Sequence, residues 1–194
     1  MGMEIERRFL VAPRRIRLRG GTGIVQAYFP MRGATGRVRI AGRKAFLTVK
    51  GRTRGIARTE VEISIPMEMA SALLRSLCSP ERIVKTRHRV RHAGKLWEVD
   101  VFAGANRGLV LAEVELKRPD ETVRLPRWAV LEVSTDRRFT NSRLALAPFR
   151  SWTPSLREQV AAAMRGGTVR LRHPAYSPEP ATIAKRAKSP AART

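Results

Sequence analysis

Residues 57–65 read Ala57-Arg58-Thr59-Glu60-Val61-Glu62-Ile63-Ser64-Ile65. Arg58, Glu60 and Glu62 alternate with Val61, Ile63 and Ile65. Side chains at i and i+2 of a strand share a face, so the segment predicts a strand with one charged side and one apolar side. Two carboxylates on one face can aim at one point. The same spacing recurs at Glu4/Glu6, Glu98/Asp100 and Glu113/Glu115, and the four pairs take up eight of the sixteen acidic residues. Random scatter in a chain of net charge +23 does not concentrate carboxylates in this way. Convergent carboxylates are what a hard divalent cation needs.

Outward from this stretch, further segments alternate in the same manner. Arg37 and Arg39 oppose Val38 and Ile40, Lys50 lines up with Thr48 and Phe46, and Lys85, Arg87, Arg89 and Arg91 oppose Val84 and Val90. Strands are predicted near 3–11, 24–30, 36–41, 44–50, 57–65, 83–91, 95–102 and 109–116. Gly-containing clusters punctuate them, and Ala41-Gly42 and Ala93-Gly94 suit tight hairpins, so the sheet is expected to be antiparallel. One helix is predicted after Pro66, with Met69, Leu73, Leu74 and Leu77 as its stripe. A second is predicted at 141–147, capped by Asn141 or Ser142.

Charged faces on so many strands admit two architectures. One is an ordinary sheet, apolar toward the core and polar toward water. The other is a closed barrel whose charged faces line a tunnel and whose apolar faces turn outward against helices. Two details favour the barrel. Carboxylates pair on some strands and cations on others, and these faces hold few of the neutral polar residues that solvent faces mix in. Such a lumen is costly unless its charges are paired, hydrated or bound to ions. The expected fold is therefore α+β, mainly β: an eight-stranded antiparallel closed barrel with a charged lumen and flanking helices.

The charge balance of 39 Lys+Arg against 16 Asp+Glu predicts polyanion partners. Cys78 is the only cysteine, so neither an intrachain disulfide nor a thiolate zinc site is available. His88, His92 and His173 lack a metal-ligand spacing. A metal, if held, is held by oxygen, hence Mg²⁺ or Mn²⁺. The acidic N-terminus does not read as a signal peptide, and no apolar run is long enough for a membrane span. A soluble, cytoplasmic protein is expected, monomer or homodimer being left open. By composition the chain divides into residues 1–150, a helical extension at 151–172 with Leu156, Val160 and Met164 at i, i+4 spacing, and a Pro-containing, disordered basic tail at 173–194 that could contact nucleic acid or polyphosphate.

If the acidic and basic faces oppose each other, the carboxylates can coordinate one or two Mg²⁺ or Mn²⁺ ions while Arg and Lys clamp phosphoryl oxygens. Phosphoryl transfer mainly needs positioning and charge neutralisation, so the absence of a Walker A pattern does not count against it.

The motifs, in order, resemble those of the CYTH-domain, or triphosphate tunnel metalloenzyme, family. Glu4-Ile-Glu6-Arg7-Arg8 is similar to its ExExK signature, Gln26-Ala-Tyr28 to a QGY segment, Arg37-Val-Arg39 to an RxR strand, and Phe46-Leu-Thr-Val-Lys50 to an LTxK strand. Arg58-Thr-Glu60-Val-Glu62, Lys85-Thr-Arg87, Trp97-Glu-Val-Asp100, Leu111-Ala-Glu113-Val-Glu115 and the Glu132–Asn141 segment continue the likeness over roughly 3–147. The resemblance implies an eight-stranded antiparallel tunnel that hydrolyses or rearranges a triphosphate. It implies metal binding by Glu4, Glu6, Asp100, Glu113 and Glu115, triphosphate binding by Arg37, Arg39, Lys50, Arg58, Lys85 and Arg87, and catalytic roles for Glu6, Arg8 and Glu62. The roles of Glu60 and Glu98 are left open, since either could make a salt bridge in the wall. The expected activity is metal-dependent hydrolysis of inorganic tripolyphosphate to pyrophosphate and phosphate. The alternatives are a class IV adenylate cyclase, a nucleoside or thiamine triphosphatase, or a non-enzymatic RNA- or polyanion-binding module. The chain departs from the pattern at Arg8, where the signature has lysine, at Ala27 for glycine, and at Phe139 for tyrosine.

Overall fold

The computed structural model describes residues 2–52, 56–169 and 171, apart from the side chains of residues 2, 3, 30, 57 and 58. The alternating segments are strands, each close to its predicted span: β1 (Gly2–Val11), β2 (Thr22–Met31), β3 (Ala34–Ala41), β4 (Lys44–Lys50), β5 (Ala57–Ile65), β6 (Ile83–His92), β7 (Lys95–Phe102) and β8 (Val110–Glu115). A ninth, β9 (Ala129–Glu132), was not anticipated. The helices are α1 (Met67–Ser76), α2 (Asn141–Leu146) and α3 (Pro154–Met164).

All strand pairings are antiparallel. The first eight strands run β5-β4-β3-β2-β6-β7-β8-β1, and a further β1–β5 pairing joins the ends of the run. That seam is short: Gly2 to Ile5 of β1 against Ala57 to Glu60 of β5. Beyond it, β9 pairs along the same edge of β1 at Phe9 to Val11. The β6–β7 hairpin turns through Ala93 (φ 47°) and Gly94 (φ 78°), the positive-φ pair that a two-residue type I′ turn requires.

The apolar faces point outward and are covered in two places. α1 lays Ala70 and Leu74 over Ala27, Val38 and Ala45 of β2–β4. Its expected stripe is only partly used, since Met69 and Leu77 are exposed. The larger cluster covers β1, β7 and β8, where Phe9, Trp97, Val99, Ala112 and Val114 meet Leu144 of α2, Trp152, and Val160, Ala163 and Met164 of α3. Trp97 is fully buried, its ring 5.6 Å from that of Phe9 and 5.3 Å from that of Trp128. α3 thus belongs to the same core as the barrel. Thr140, rather than Asn141 or Ser142, caps α2, accepting a hydrogen bond from the Arg143 N–H. The basic tail at 173–194 lies outside the described residues. Among the described residues no helix is long and apolar enough to cross a membrane.

Candidate functional site

With apolar faces outward, the strand pleat turns most of the paired charges into the lumen. A cavity of about 1030 Å³ occupies it. Its lining runs from Thr140, Asn141 and Ser142 at the start of α2 to Leu96, Leu116 and Lys117 beside the β6–β7 hairpin, so it spans both ends of β7. Glu4, Glu6, Arg8, Arg37, Arg39, Lys50, Glu62, Arg87, Glu113 and Glu115 all line it, as the sequence predicts. Lys85 and Asp100 do not: they lie within the wall, 2% and 1% exposed. Arg58 sits opposite Glu4 in the β1–β5 register, and its side chain lies outside the described residues.

Register decides which charges meet. On β1 and β8, Arg8 stands opposite Glu113 and Glu6 opposite Glu115. On β7 and β8, Glu98 stands opposite Glu113. Like charges directly opposite each other destabilise a sheet unless a cation intervenes. Here guanidinium groups intervene. Arg8 donates from Nε to Glu113 Oε1 at 2.8 Å and from Nη2 to Glu6 Oε1 at 2.5 Å. Arg87 donates to both oxygens of Asp100 at 2.7 and 2.6 Å, to Glu113 Oε2 at 3.1 Å, and to Glu98. Burial opposes the charge on Glu113, yet Arg8, Arg87 and Lys85 outweigh it and hold this carboxyl well below the usual carboxylate range. Burial likewise opposes the Arg8 cation, and Glu113 and Glu6 more than restore it.

The opposite wall carries the second group. Glu62 accepts from Arg37 Nη2 at 3.0 Å, Arg39 Nη2 at 2.8 Å and the Thr48 hydroxyl at 2.7 Å. These partners overcome its burial and lower its pKa. Burial, with Arg37 alongside, pulls the Arg39 guanidinium down. Lys50 Nζ contacts Glu4 at 2.9 Å and Glu60 at 2.9 Å. Burial and the neighbouring Glu4 push Glu60 up, Lys50 opposing. In the wall, Lys85 Nζ donates to Asp100 at 2.6 Å and to Asn141 Oδ1 at 3.1 Å, and burial lowers its pKa against the attraction of Asp100. Glu60 pairs with Lys50 and Glu98 with Arg87, and both carboxylates line the cavity.

Thr48 and Asn141 were missed as site residues. Thr48 lies between Arg37 and Glu62 in the strand register, and Asn141 ends the motif that begins at Glu132. Their alignment with charged neighbours was the available signal.

Among the described residues no three carboxylates converge on one point, because arginine and lysine stand between them. The donor set nonetheless fits a hard divalent cation. It is all carboxylate oxygen, crowded with like charge at Glu6/Glu115 and Glu98/Glu113, and Glu115 makes no ion pair among the described residues.

An antiparallel, barrel-like sheet whose lumen interleaves carboxylates with arginine and lysine defines a tunnel built for a polyanion and a counter-ion. Residues 2–143 match the CYTH domain, and the chain belongs to that family. It is 39% identical over 154 residues to an inorganic triphosphatase of Acetivibrio thermocellus, covering 78% of this chain and 99% of that protein. To an inorganic triphosphatase of Nitrosomonas europaea it is 35% identical over 149 residues, covering 74% and 97%. A crystal structure of an inorganic triphosphatase superimposes with TM-score 0.56 at 33% identity, covering 75% of this chain and 96% of the other.

Proposed function

We propose that this chain is an enzyme that hydrolyses inorganic tripolyphosphate to pyrophosphate and phosphate with one or two Mg²⁺ or Mn²⁺ ions. The observation that carries the reading is the shared lumen: Arg37, Arg39 and Lys50 line one cavity together with Glu4, Glu6, Glu113 and Glu115. The names of the 39% and 35% identical relatives support it.

Glu4, Glu6, Glu113 and Glu115 hold the metal, with Asp100 behind them. When bound, the ion neutralises phosphate oxygens and lowers the pKa of a coordinated water. Arg37 and Arg39 clamp phosphoryl oxygens, and Glu62 with Thr48 keeps both guanidiniums in orientation until the anion displaces the carboxylate. Lys50 and Arg58 add charge from β4 and β5. Arg87 reaches the cavity and completes the clamp, whereas Lys85 acts through Asp100. Arg8, joined to both Glu6 and Glu113, is placed to release those carboxylates and meet a phosphoryl oxygen instead.

A cyclase or nucleotide-specific site needs a surface for the base. Tyr28 is the one aromatic side chain in the cavity lining among the described residues, and all three tryptophans are buried. This lining supports a bare phosphate chain as the substrate. Cytoplasmic placement belongs to the same reading, with Cys78 a free thiol. The test is a substrate panel. Phosphate release from tripolyphosphate should exceed release from ATP, with no cyclic AMP formed. Preference for ATP, or cyclic AMP among the products, would overturn the assignment.

A further inference from the structure

The crossover from β1 to β2 carries charge that the lumen does not use. Between Glu6 and Glu60 the sequence holds fifteen basic residues and no acidic one. Lumen carboxylates and Glu132 pair with Arg7, Arg8, Arg37, Arg39 and Lys50. Arg14, Arg15, Arg17 and Arg19 are left over, all exposed and all on the crossover. Because β8, β7 and β6 separate β1 from β2, residues 12–21 pass across the outside of the barrel. Residues 13–15 make a single 3-10 turn, and Ile16 beyond it is extended. Ile16 and Leu18 pack on the outer core cluster, while Arg17 and Arg19 are exposed at the alternate positions, which in extended chain stand roughly 6–7 Å apart. Gly21 closes the crossover onto the outer face of β6: a Cβ there would fall 2.6 Å from Thr86 Cγ2 and 2.8 Å from His88 Cε1. Next to it the Gly42 N–H donates to the Gly23 carbonyl at 3.0 Å, which brings the exposed Arg43 and Lys44 of the β3–β4 hairpin alongside. At the other end the Arg15 guanidinium lies against Gly166, just past α3. None of these six cations lines the cavity, and none forms an ion pair among the described residues.

We infer that this outer strip binds the phosphodiester backbone of double-stranded nucleic acid without reading its bases. The strip lies outside the lumen, so the inference does not depend on the proposed function. Guanidinium groups bind phosphate bidentately, and an acid-free row of them is the footprint of backbone contact. Reading bases in the major groove takes a helix or a two-stranded ribbon that enters it. This strip is instead held flat on the barrel by Ile16, Leu18 and Gly21. A single strand fits less well, because residues 12–21 hold no aromatic side chain on which a base can stack. An acidic membrane also fits less well. Ile16 and Leu18 are turned into the core, which leaves no large apolar side chain on the crossover to insert among lipids. For the same reason the strip lacks the apolar centre of a protein–protein interface.

The experiment measures fluorescence anisotropy of two labelled DNA duplexes of unrelated sequence as full-length protein is added, over a salt series from about 50 to 200 mM. The unmodified protein is compared with the Arg17→Gln/Arg19→Gln and Arg37→Gln/Arg39→Gln double variants. The unmodified protein should bind both duplexes alike, with affinity falling steeply as salt rises. Replacing Arg17 and Arg19 should reduce the slope of log affinity against log salt by about 2 and weaken binding about tenfold at the upper end of the series. Both side chains are exposed, so the melting point of that variant should not change. Replacing Arg37 and Arg39, which line the lumen, should leave duplex binding as it was. An unchanged slope in the Arg17/Arg19 variant would assign duplex binding to another surface, such as residues 173–194, and overturn the inference. So would a strong preference for one duplex sequence, or tighter binding to a single strand of the same length or to phosphatidylserine vesicles than to the duplex.

Discussion

Replacing Arg8 by methionine tests how the lumen is held together. Arg8 is 5% exposed and bridges Glu6 and Glu113, whose side chains are 20% and 12% exposed. Methionine keeps much of the volume and removes the charge. Breaking a buried ion pair from one side costs about 3–5 kcal/mol, because the partner is left uncompensated. Arg87 still contacts Glu113 at 3.1 Å, which places the expected loss at the lower end, about 3 kcal/mol. For a chain of this size that corresponds to a melting point about 6–12 °C lower.

The loss should depend on pH in a defined direction. The folded-state pKa of Glu113 is depressed, so its contribution is present above the unfolded carboxylate value of about 4.3 and disappears as pH falls through the lower folded value. Without Arg8 that depression shrinks. The gap between the two proteins should then be full at neutral pH and close in the acid range below about pH 4.3. Mn²⁺ should narrow the gap at neutral pH, since a divalent cation can replace the guanidinium between the carboxylates and stabilises whichever protein binds it better. Denaturant unfolding at neutral pH and over a series running from about pH 4 down to about pH 2, with and without Mn²⁺ at neutral pH, reads all three effects. A deficit that is small at neutral pH, or one that persists unchanged in acid, would refute the electrostatic account of β1 and β8.

Other outcomes follow from the same geometry. Glu113→Gln and Glu115→Gln should each lower tripolyphosphate kcat about a hundredfold or more while leaving simple polyanion retention unchanged or stronger, measured by steady-state kinetics and heparin binding. Glu62→Gln should raise KM more than it lowers kcat, because Glu62 orients Arg37 and Arg39. Ala93→Gly should stabilise the fold by about 1 kcal/mol in urea unfolding, since it relieves a positive φ at a residue with a Cβ. Truncation after residue 171 should leave the melting point unchanged, whereas truncation after Trp152 strips Val160, Ala163 and Met164 from the core and should abolish cooperative unfolding.

The barrel was legible because period-2 alternation here is written in charge against apolar side chains, which leaves little ambiguity about strands or faces. Residues 129–132, Ala-Val-Leu-Glu, carry no such alternation. They become β9 through tertiary contacts: pairing with β1, the Val133 N–H donating to the Arg8 carbonyl, and the Ser134 hydroxyl accepting from the Arg8 N–H. The place of α3 was hidden for a related reason. Its apolar stripe reads as an appendage until Val160 is seen fully buried with the barrel's outer face. At the site, the sequence shows which residues face inward, but pairing between walls depends on register. That is why Lys85, expected at the anion, and Asp100, expected at the metal, lie beneath the lumen surface bonded to each other, and why Arg8 spans two carboxylates expected to hold metal.

The most direct test of the central claim is phosphate release from tripolyphosphate as Mg²⁺ or Mn²⁺ is titrated, with Glu6→Gln measured in parallel. The account predicts no release without the divalent ion, saturable release with it, and its loss in Glu6→Gln. Release that is independent of the ion, or full activity in Glu6→Gln, would contradict the assignment of the lumen as a metal-dependent triphosphatase site.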